Sequence, residues 1–206
     1  MLQEQIKLLK QNEQISIKIY QKLSSFKKFR VETNEALFSE LCYCILTANC
    51  QAKTCIAIQK TFPFDFSIAK KEQIKKHLRE HHYRFPNIRT QYILDAQIYK
   101  NKIRHTLQNY SGLQRREWFI DNIKGLGIKE ASHYLRNIGY DEYAIIDTHI
   151  LSLLDFYQII NKPKTLTKKR YLDIEGRLKI LAKETNLTLS SLDLYLWYMK
   201  TGLILK

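Results

Sequence analysis

The sequence predicts an all-α fold of two interleaved helical subdomains flanking a binding cleft, and three observations carry that prediction. Only 6 Gly and 3 Pro punctuate 206 residues. Apolar residues recur at spacings of three and four along most of the chain, and no convincing run of strands interrupts them. There is no internal repeat, low-complexity tract or Pro/Ser-rich linker, so two subdomains would have to be interleaved rather than strung in series.

The N-terminal stretch "MLQEQIKLLKQNEQ" is amphipathic and carries acids, without the apolar centre or cleavage site of a signal peptide, so export is not expected. In "NEALFSELCYCIL", Leu37, Leu41, Cys44 and Ile45 form one stripe and Thr33 or Asn34 is placed to cap the start, which makes a core-facing helix. Further helices are expected over about 51–61 and about 69–81. "HHYRFPNIRTQYI" then breaks the pattern. Pro86 can open the next helix, about 86–102, with Ile93, Ala96, Ile98 and Tyr99 facing inward.

Thr167 precedes "KKRYLDIEGRLKILAKET", where Tyr171, Ile174, Leu178 and Leu181 lie at helical spacing. For the last helix, Ser190 and Asp193 read as a capping box and Gly202 as the stop after "LYLWYMKT". The whole of 1–206 is expected to act as one unit. Residues 36–145 would form a middle lobe, and 1–35 with 146–206 a terminal lobe.

Charge narrows the partner. The chain has 34 Lys+Arg against 20 Asp+Glu, a net +14, with a pI near 9.6. Such an excess favours a polyanion, nucleic acid ahead of an acidic membrane surface. The longest apolar runs fall well short of the roughly 20 residues of a spanning helix, so no membrane role is expected. Cys42, Cys44, Cys50 and Cys55 contain no CxxC pair, and read as small reduced apolar residues rather than metal ligands. That usage suits the cytoplasm.

The chemistry concentrates in "IKGLGIKEASHYLRNIG" and the "AIIDTHI" that follows. Gly125 and Gly127 free the backbone for positive φ and bare the amides of a helix start, an anion site, although a plain tight turn has the same look. Ile123, Leu126, Ala131, Leu135 and Ile138 supply an apolar frame around them, and the pattern resembles the helix-hairpin-helix motif, which grips DNA backbone. Lys129 is either a solvated charge or phosphate contact, or an amine whose place near the positive end of a helix and other cations eases loss of its proton. Asp147 is either the cap of "THILSLL" or a carboxylate brought opposite Lys129 across a cleft.

With these residues the chain resembles the helix-hairpin-helix DNA glycosylase superfamily, in "KGLGIKEA" followed by "IIDTHI". Within it, "ELCYCILTAN", "IKGLGIKEASHYLRNIGYDEYAIID" and "LDLYLWYMKTGLILK" look most like the type-2, largely archaeal 8-oxoguanine DNA glycosylases, which are also AP lyases. The resemblance implies that Lys129 attacks the sugar C1′ and forms a Schiff base leading to β-elimination, while Asp147 steadies the positive charge. Gly125 and Gly127 would hold phosphate, with room for a structural monovalent cation on nearby carbonyls. No cofactor and no iron–sulfur cluster are implied.

Phe85 resembles the family's inserted aromatic, Arg84 its contact to the orphaned cytosine and Asn49 a probe of the opened duplex; the alternative is a buried Phe beside a surface Arg. Asp193, Trp197 and the carboxylate of Lys206 correspond to the residues that read the damaged purine, although Asp193 also suits a cap and Trp197 a core. The implied partner is double-stranded DNA containing oxidised guanine, met by a monomer at the cytoplasmic nucleoid during base excision repair. Thr148, after the aspartate, is instead what the endonuclease III branch shows. That leaves an endonuclease III-like enzyme for oxidised pyrimidines, or a non-enzymatic DNA-binding module, as rival readings.

Overall fold

Helix follows helix through all of the residues described, Met1 to Lys206, in a computed structural model. The order is α1 (Leu2–Gln11), α2 (Glu13–Lys28), α3 (Asn34–Thr47), α4 (Ala52–Thr61), α5 (Lys71–Glu80), α6 (Pro86–Ala96), α7 (Ile103–Asn109), α8 (Gly112–Asn122), α9 (Ile128–Asn137), α10 (Thr148–Phe156), α11 (Lys168–Glu184) and α12 (Leu189–Thr201). Short 3₁₀ turns follow α2 and α6, at Phe29–Val31 and Gln97–Tyr99. The second turn has a consequence for burial. Tightening from 3.6 to 3 residues per turn rotates Ile98 out of the stripe, so Ile93 and Ala96 are buried as expected and Ile98 is exposed.

The chain divides into two units, Phe29–Tyr134 and Met1–Lys28 with Leu135–Lys206. Both crossings fall earlier than the expected 36–145 lobe, and the second lies inside α9. The reason is visible in the segment after α9. Gly139, at φ +90°, runs so close to α2 that a Cβ would lie 2.9 Å from the Phe26 carbonyl oxygen. Ser190 Oγ donates to the Tyr140 carbonyl at 3.3 Å. Contacts of this kind tie residues from Leu135 onward to the terminal helices.

In the unit of chain termini, α12 packs against α1, α2, α10 and α11. Ile15, Ile19 and Phe26 of α2 meet Leu194 and Tyr195 of α12, and Ile204 of the C-terminal tail closes over the cluster. Each such side chain contributes about 1.5–3 kcal/mol by leaving water. The start of α12 departs from expectation. Thr188 is the cap, accepting from the Ser191 amide at 3.2 Å, so the Ser190–Asp193 capping box does not form and both side chains are free for other partners. Gly202, left-handed at φ 69°, ends the helix as predicted.

In the middle unit, α3 packs against α4, α6 and α7. Thr33 caps it, accepting from Ala36 N at 3.2 Å, and all but Ser39 of Leu37–Thr47 is buried. A helix buried on nearly every side is enclosed by its neighbours, and its last carbonyls then need partners other than water. The Tyr83 hydroxyl donates to Leu46 O at 2.6 Å, Cys55 Sγ donates to the same oxygen at 3.4 Å, and Arg89 Nη2 donates to Ala48 O at 3.1 Å.

Candidate active site

The residues singled out in the sequence fall into two sets, one in each unit. In the middle unit, α8 and α9 form the predicted hairpin, with the Leu126 amide closing the turn onto Ile123 O at 3.2 Å. Gly125 adopts φ +86°, and a Cβ there would lie 2.5 Å from Tyr92 Cδ2 and 2.9 Å from Arg89 Nη1, so only glycine fits. Gly127 does not share the left-handed conformation that was expected of both glycines. Its amide instead donates to Glu130 Oε2 at 3.3 Å, which places Glu130 at the third position of α9 as a cap to the helix start.

Lys129 lies in the first turn of α9, 28% exposed, with Nζ 3.0 Å from Glu130 Oε1. The neighbour expected here was another cation; the structure supplies a carboxylate. One Glu130 side chain therefore engages both the hairpin amide and the lysine. Glu130 was missed in the sequence, although a Gly-x-x-Glu at a helix start is a readable capping pattern.

Asn49, Phe85, Gly125 and Gly127 come together around an open groove of about 450 Å³, with Arg89 and Tyr92 between them. Asn49 is left-handed at φ 61°, a conformation its short polar side chain tolerates, and follows directly on the carbonyl that Arg89 holds. Phe85 is half-buried rather than buried, and the exposed Arg84 guanidinium lies 5.0 Å from its ring centre. Neither side chain is consumed by the core.

In the unit of chain termini, the segment Tyr143–Ile146 lies outside any helix and is buried, anchored from α11. The Ala144 amide donates to Glu175 Oε1 at 3.0 Å, and the Tyr171 hydroxyl donates to Ala144 O at 2.6 Å and accepts from Ile146 N at 3.2 Å. This delivers Asp147 to the N-cap of α10, where Oδ1 accepts from His149 N and Ile150 N at 2.9 Å each. The cap reading is realised, yet both bonds fall on one oxygen. Thr148 is the exposed first residue of α10.

Asp193 projects from α12 with its side chain 10% exposed and Oδ2 3.3 Å from Arg136 Nη1. Burial pushes its carboxyl up to about 6, against the pull of the Arg136 guanidinium and with the charge of Asp147 adding to the rise. Arg136 in turn lies over the Phe26 ring at 4.7 Å. Trp197, one turn further along α12, is half-buried and stands edge-on to His149, ring centres 5.2 Å apart at 90°. Its indole Nε1 is buried and has no hydrogen-bond partner. Lys206 is half-buried, two residues past the anchored Ile204. Arg136 and His149 were not singled out in the sequence, and nothing in their spacing marks them.

An all-helical protein with a glycine hairpin, a lysine in the helix after it, and an aspartate capping the helix beyond has the parts of a DNA glycosylase. The profile of the family described as 8-oxoguanine DNA glycosylase matches residues 19–187, and the chain belongs to that family. The 8-oxoguanine DNA glycosylase/AP lyase of Methanocaldococcus jannaschii is 44% identical over 208 residues, covering the full length of both chains. The crystal structure of the enzyme from that organism in complex with a 15mer DNA containing 8-oxoguanine superposes with a TM-score of 0.96 at 43% identity, again over both full chains. The 8-oxoguanine DNA glycosylase of Thermotoga maritima superposes with a TM-score of 0.92 at 35% identity, covering 100% of this chain and 98% of that one. No helix here is long and apolar enough to cross a membrane.

Proposed function

We propose that this chain excises 8-oxoguanine from duplex DNA and then cuts the strand at the resulting abasic site, with Lys129 as nucleophile. The observation that carries this reading is the placement of Lys129 in the first turn of α9, directly behind a hairpin that only glycine can make at 125. Relatives matching over the full length, named as 8-oxoguanine DNA glycosylase/AP lyases, support the same assignment.

Attack requires a free amine, so Lys129 leaves its ion pair with Glu130 and gives up a proton. Its nitrogen then bonds to C1′ as the glycosidic bond breaks, and the base departs with the electron pair and takes up a proton. Opening of the sugar gives a Schiff base; loss of a C2′ proton expels the 3′ phosphate, and water returns the amine. Asp147 stabilises the positive charge that builds on the sugar and takes part in the proton transfers. The oxygen without the capping bonds, Oδ2, suits that role.

Reaction on a paired base requires its extrusion and a filler for the gap. Phe85 on the open groove serves as filler, with Arg84 and Asn49 beside the opposite base, and the Gly125–Gly127 turn holds phosphate. The extruded purine stacks on Trp197, with Asp193 and Lys206 reading its edge. N7 of 8-oxoguanine carries a proton that guanine lacks, so a carboxylate acceptor separates the two. The unpartnered indole N–H of Trp197 supports a ligand here, since buried donors are seldom left unpaired. No cofactor enters the scheme. A monovalent cation on the carbonyls of the hairpin turn would steady a backbone already closed by Leu126 N on Ile123 O, and would supply no chemistry. The setting is base excision repair at the nucleoid.

The test is strand cleavage on duplexes carrying 8-oxoguanine, thymine glycol, uracil or a preformed abasic site, with wild type and Lys129→Gln. Wild type should cut at 8-oxoguanine and at the abasic site, and the variant should bind without cutting. Cleavage at thymine glycol in preference to 8-oxoguanine would contradict the substrate.

A further inference from the structure

Arg89 is 8% exposed, lies on α6, and matches none of the residues to which the chemistry assigns a role. A guanidinium this buried must be compensated, and its partners are unusual. Nη2 donates to Ala48 O at 3.1 Å, the C-cap carbonyl of α3, where the helix dipole presents negative charge. The planar group lies 5.4 Å from the centre of the Tyr92 ring, and Nη1 fills the space where a Cβ on Gly125 would fall, 2.9 Å away. Its Nε has no hydrogen-bond partner.

Arg89 thus touches the residue before Asn49 and the left-handed glycine of the hairpin. It also sits one helical turn beyond Phe85, the N-cap of the same helix. Asn49, Phe85 and Gly125 are all walls of one groove. A second link repeats the arrangement: Tyr83, two residues before Phe85, bonds Leu46 O near the same α3 terminus. Lysine could supply the charge but not the flat fork that meets a carbonyl on one edge while lying over a ring.

We infer that Arg89 is a positioning residue that locks the Asn49 turn, the Arg84–Phe85 segment and the Gly125 turn into one rigid duplex-engaging surface. It acts on opening the duplex and not on bond breaking. The inference rests on the groove being the face that meets the base opposite the lesion.

The test uses Arg89→Met and Arg89→Lys in the full chain. Binding is measured to a duplex with a stable abasic analogue opposite cytosine, and β-elimination at saturating enzyme on a single strand carrying an abasic site. Both variants should bind the duplex about tenfold or more weakly, with single-strand elimination within about twofold of wild type. The slope of log affinity against log salt should stay unchanged, because a positioning residue releases no counterion. Duplex affinity within twofold of wild type would overturn the inference, and so would a slope reduced by about one, the mark of a direct phosphate contact. Equal loss on single strands, or failure of both variants to fold, would overturn it as well by making Arg89 a residue of general stability. If wild type itself shows no preference for abasic duplex over intact duplex, the reading of the groove fails first.

Discussion

Lys129 Nζ stands 3.0 Å from Glu130 Oε1, and the other oxygen of that carboxylate takes the Gly127 amide at 3.3 Å. The proposed nucleophile and the proposed phosphate site are thereby held by a single side chain. Phosphate bound at that proposed site would compete with Glu130 for the amide and would loosen its grip on the lysine, linking DNA binding to release of the amine.

Replacing Glu130 with Gln should therefore tighten DNA binding. An acid that competes with phosphate is removed, while the amide oxygen can still accept from Gly127. An increase of roughly threefold to tenfold at about 0.1 M salt is expected, shrinking as salt rises. Titration of labelled duplex at several salt concentrations checks this, and weaker binding would refute it.

Asp147 carries a cap and, in the proposed chemistry, a charge, and two substitutions separate them. Asp147→Ala removes the acceptor for His149 N and Ile150 N and should cost about 1 kcal/mol of stability. Asp147→Asn keeps an acceptor oxygen, so thermal unfolding should stay close to wild type while base excision falls by roughly 100-fold or more. Asn retaining full activity would reduce Asp147 to a cap.

The two hairpin glycines should respond unequally to alanine. At Gly125 the left-handed backbone and the 2.5 Å approach to Tyr92 Cδ2 predict a loss of about 1–3 kcal/mol together with weakened DNA binding. At Gly127 a Cβ meets only the end of the Glu130 side chain, at 3.2 Å, which can swing away. Chemical denaturation of the two variants checks the order, and equal losses would contradict it.

Asp193 predicts a pH dependence of stability. Its carboxyl is raised from an ordinary 3.8 to about 6, chiefly by burial, so between those values the folded protein holds a proton that the unfolded chain releases. Stability from this group is full below about pH 4 and is lost as pH rises through 6, by about 3 kcal/mol at most. Asp193→Asn lacks the titration, and the loss of a partner for Arg136 offsets its stability equally at every pH. Wild type should thus decline relative to Asp193→Asn between pH 4 and 7. A difference that is flat or grows in favour of wild type would show that Asp193 does not titrate in this way.

How much of this was legible beforehand depends on the range of the interaction. Helix ends set by one local residue read correctly: Thr33 caps α3 and Gly202 stops α12 as expected. Ser190 and Asp193 misled because Thr188, one residue before the helix, is the cap, and tertiary partners at Tyr140 O and Arg136 claim the two side chains. The hairpin was readable because glycine at 125 has no substitute. Arg89 and Arg136 were not, since an arginine in a polar-looking helix carries no sign of the carbonyl, ring or carboxylate it will meet from distant parts of the chain.

Lys129, as the proposed nucleophile, must carry the covalent intermediate. Borohydride reduction during reaction with an 8-oxoguanine duplex, followed by digestion and mass spectrometry of the cross-linked peptide, tests it most directly. The sugar remnant should appear on Lys129, and Lys129→Gln should give no covalent complex. Trapping at another amine, or strand cleavage by wild type with no trapped species, would contradict the account.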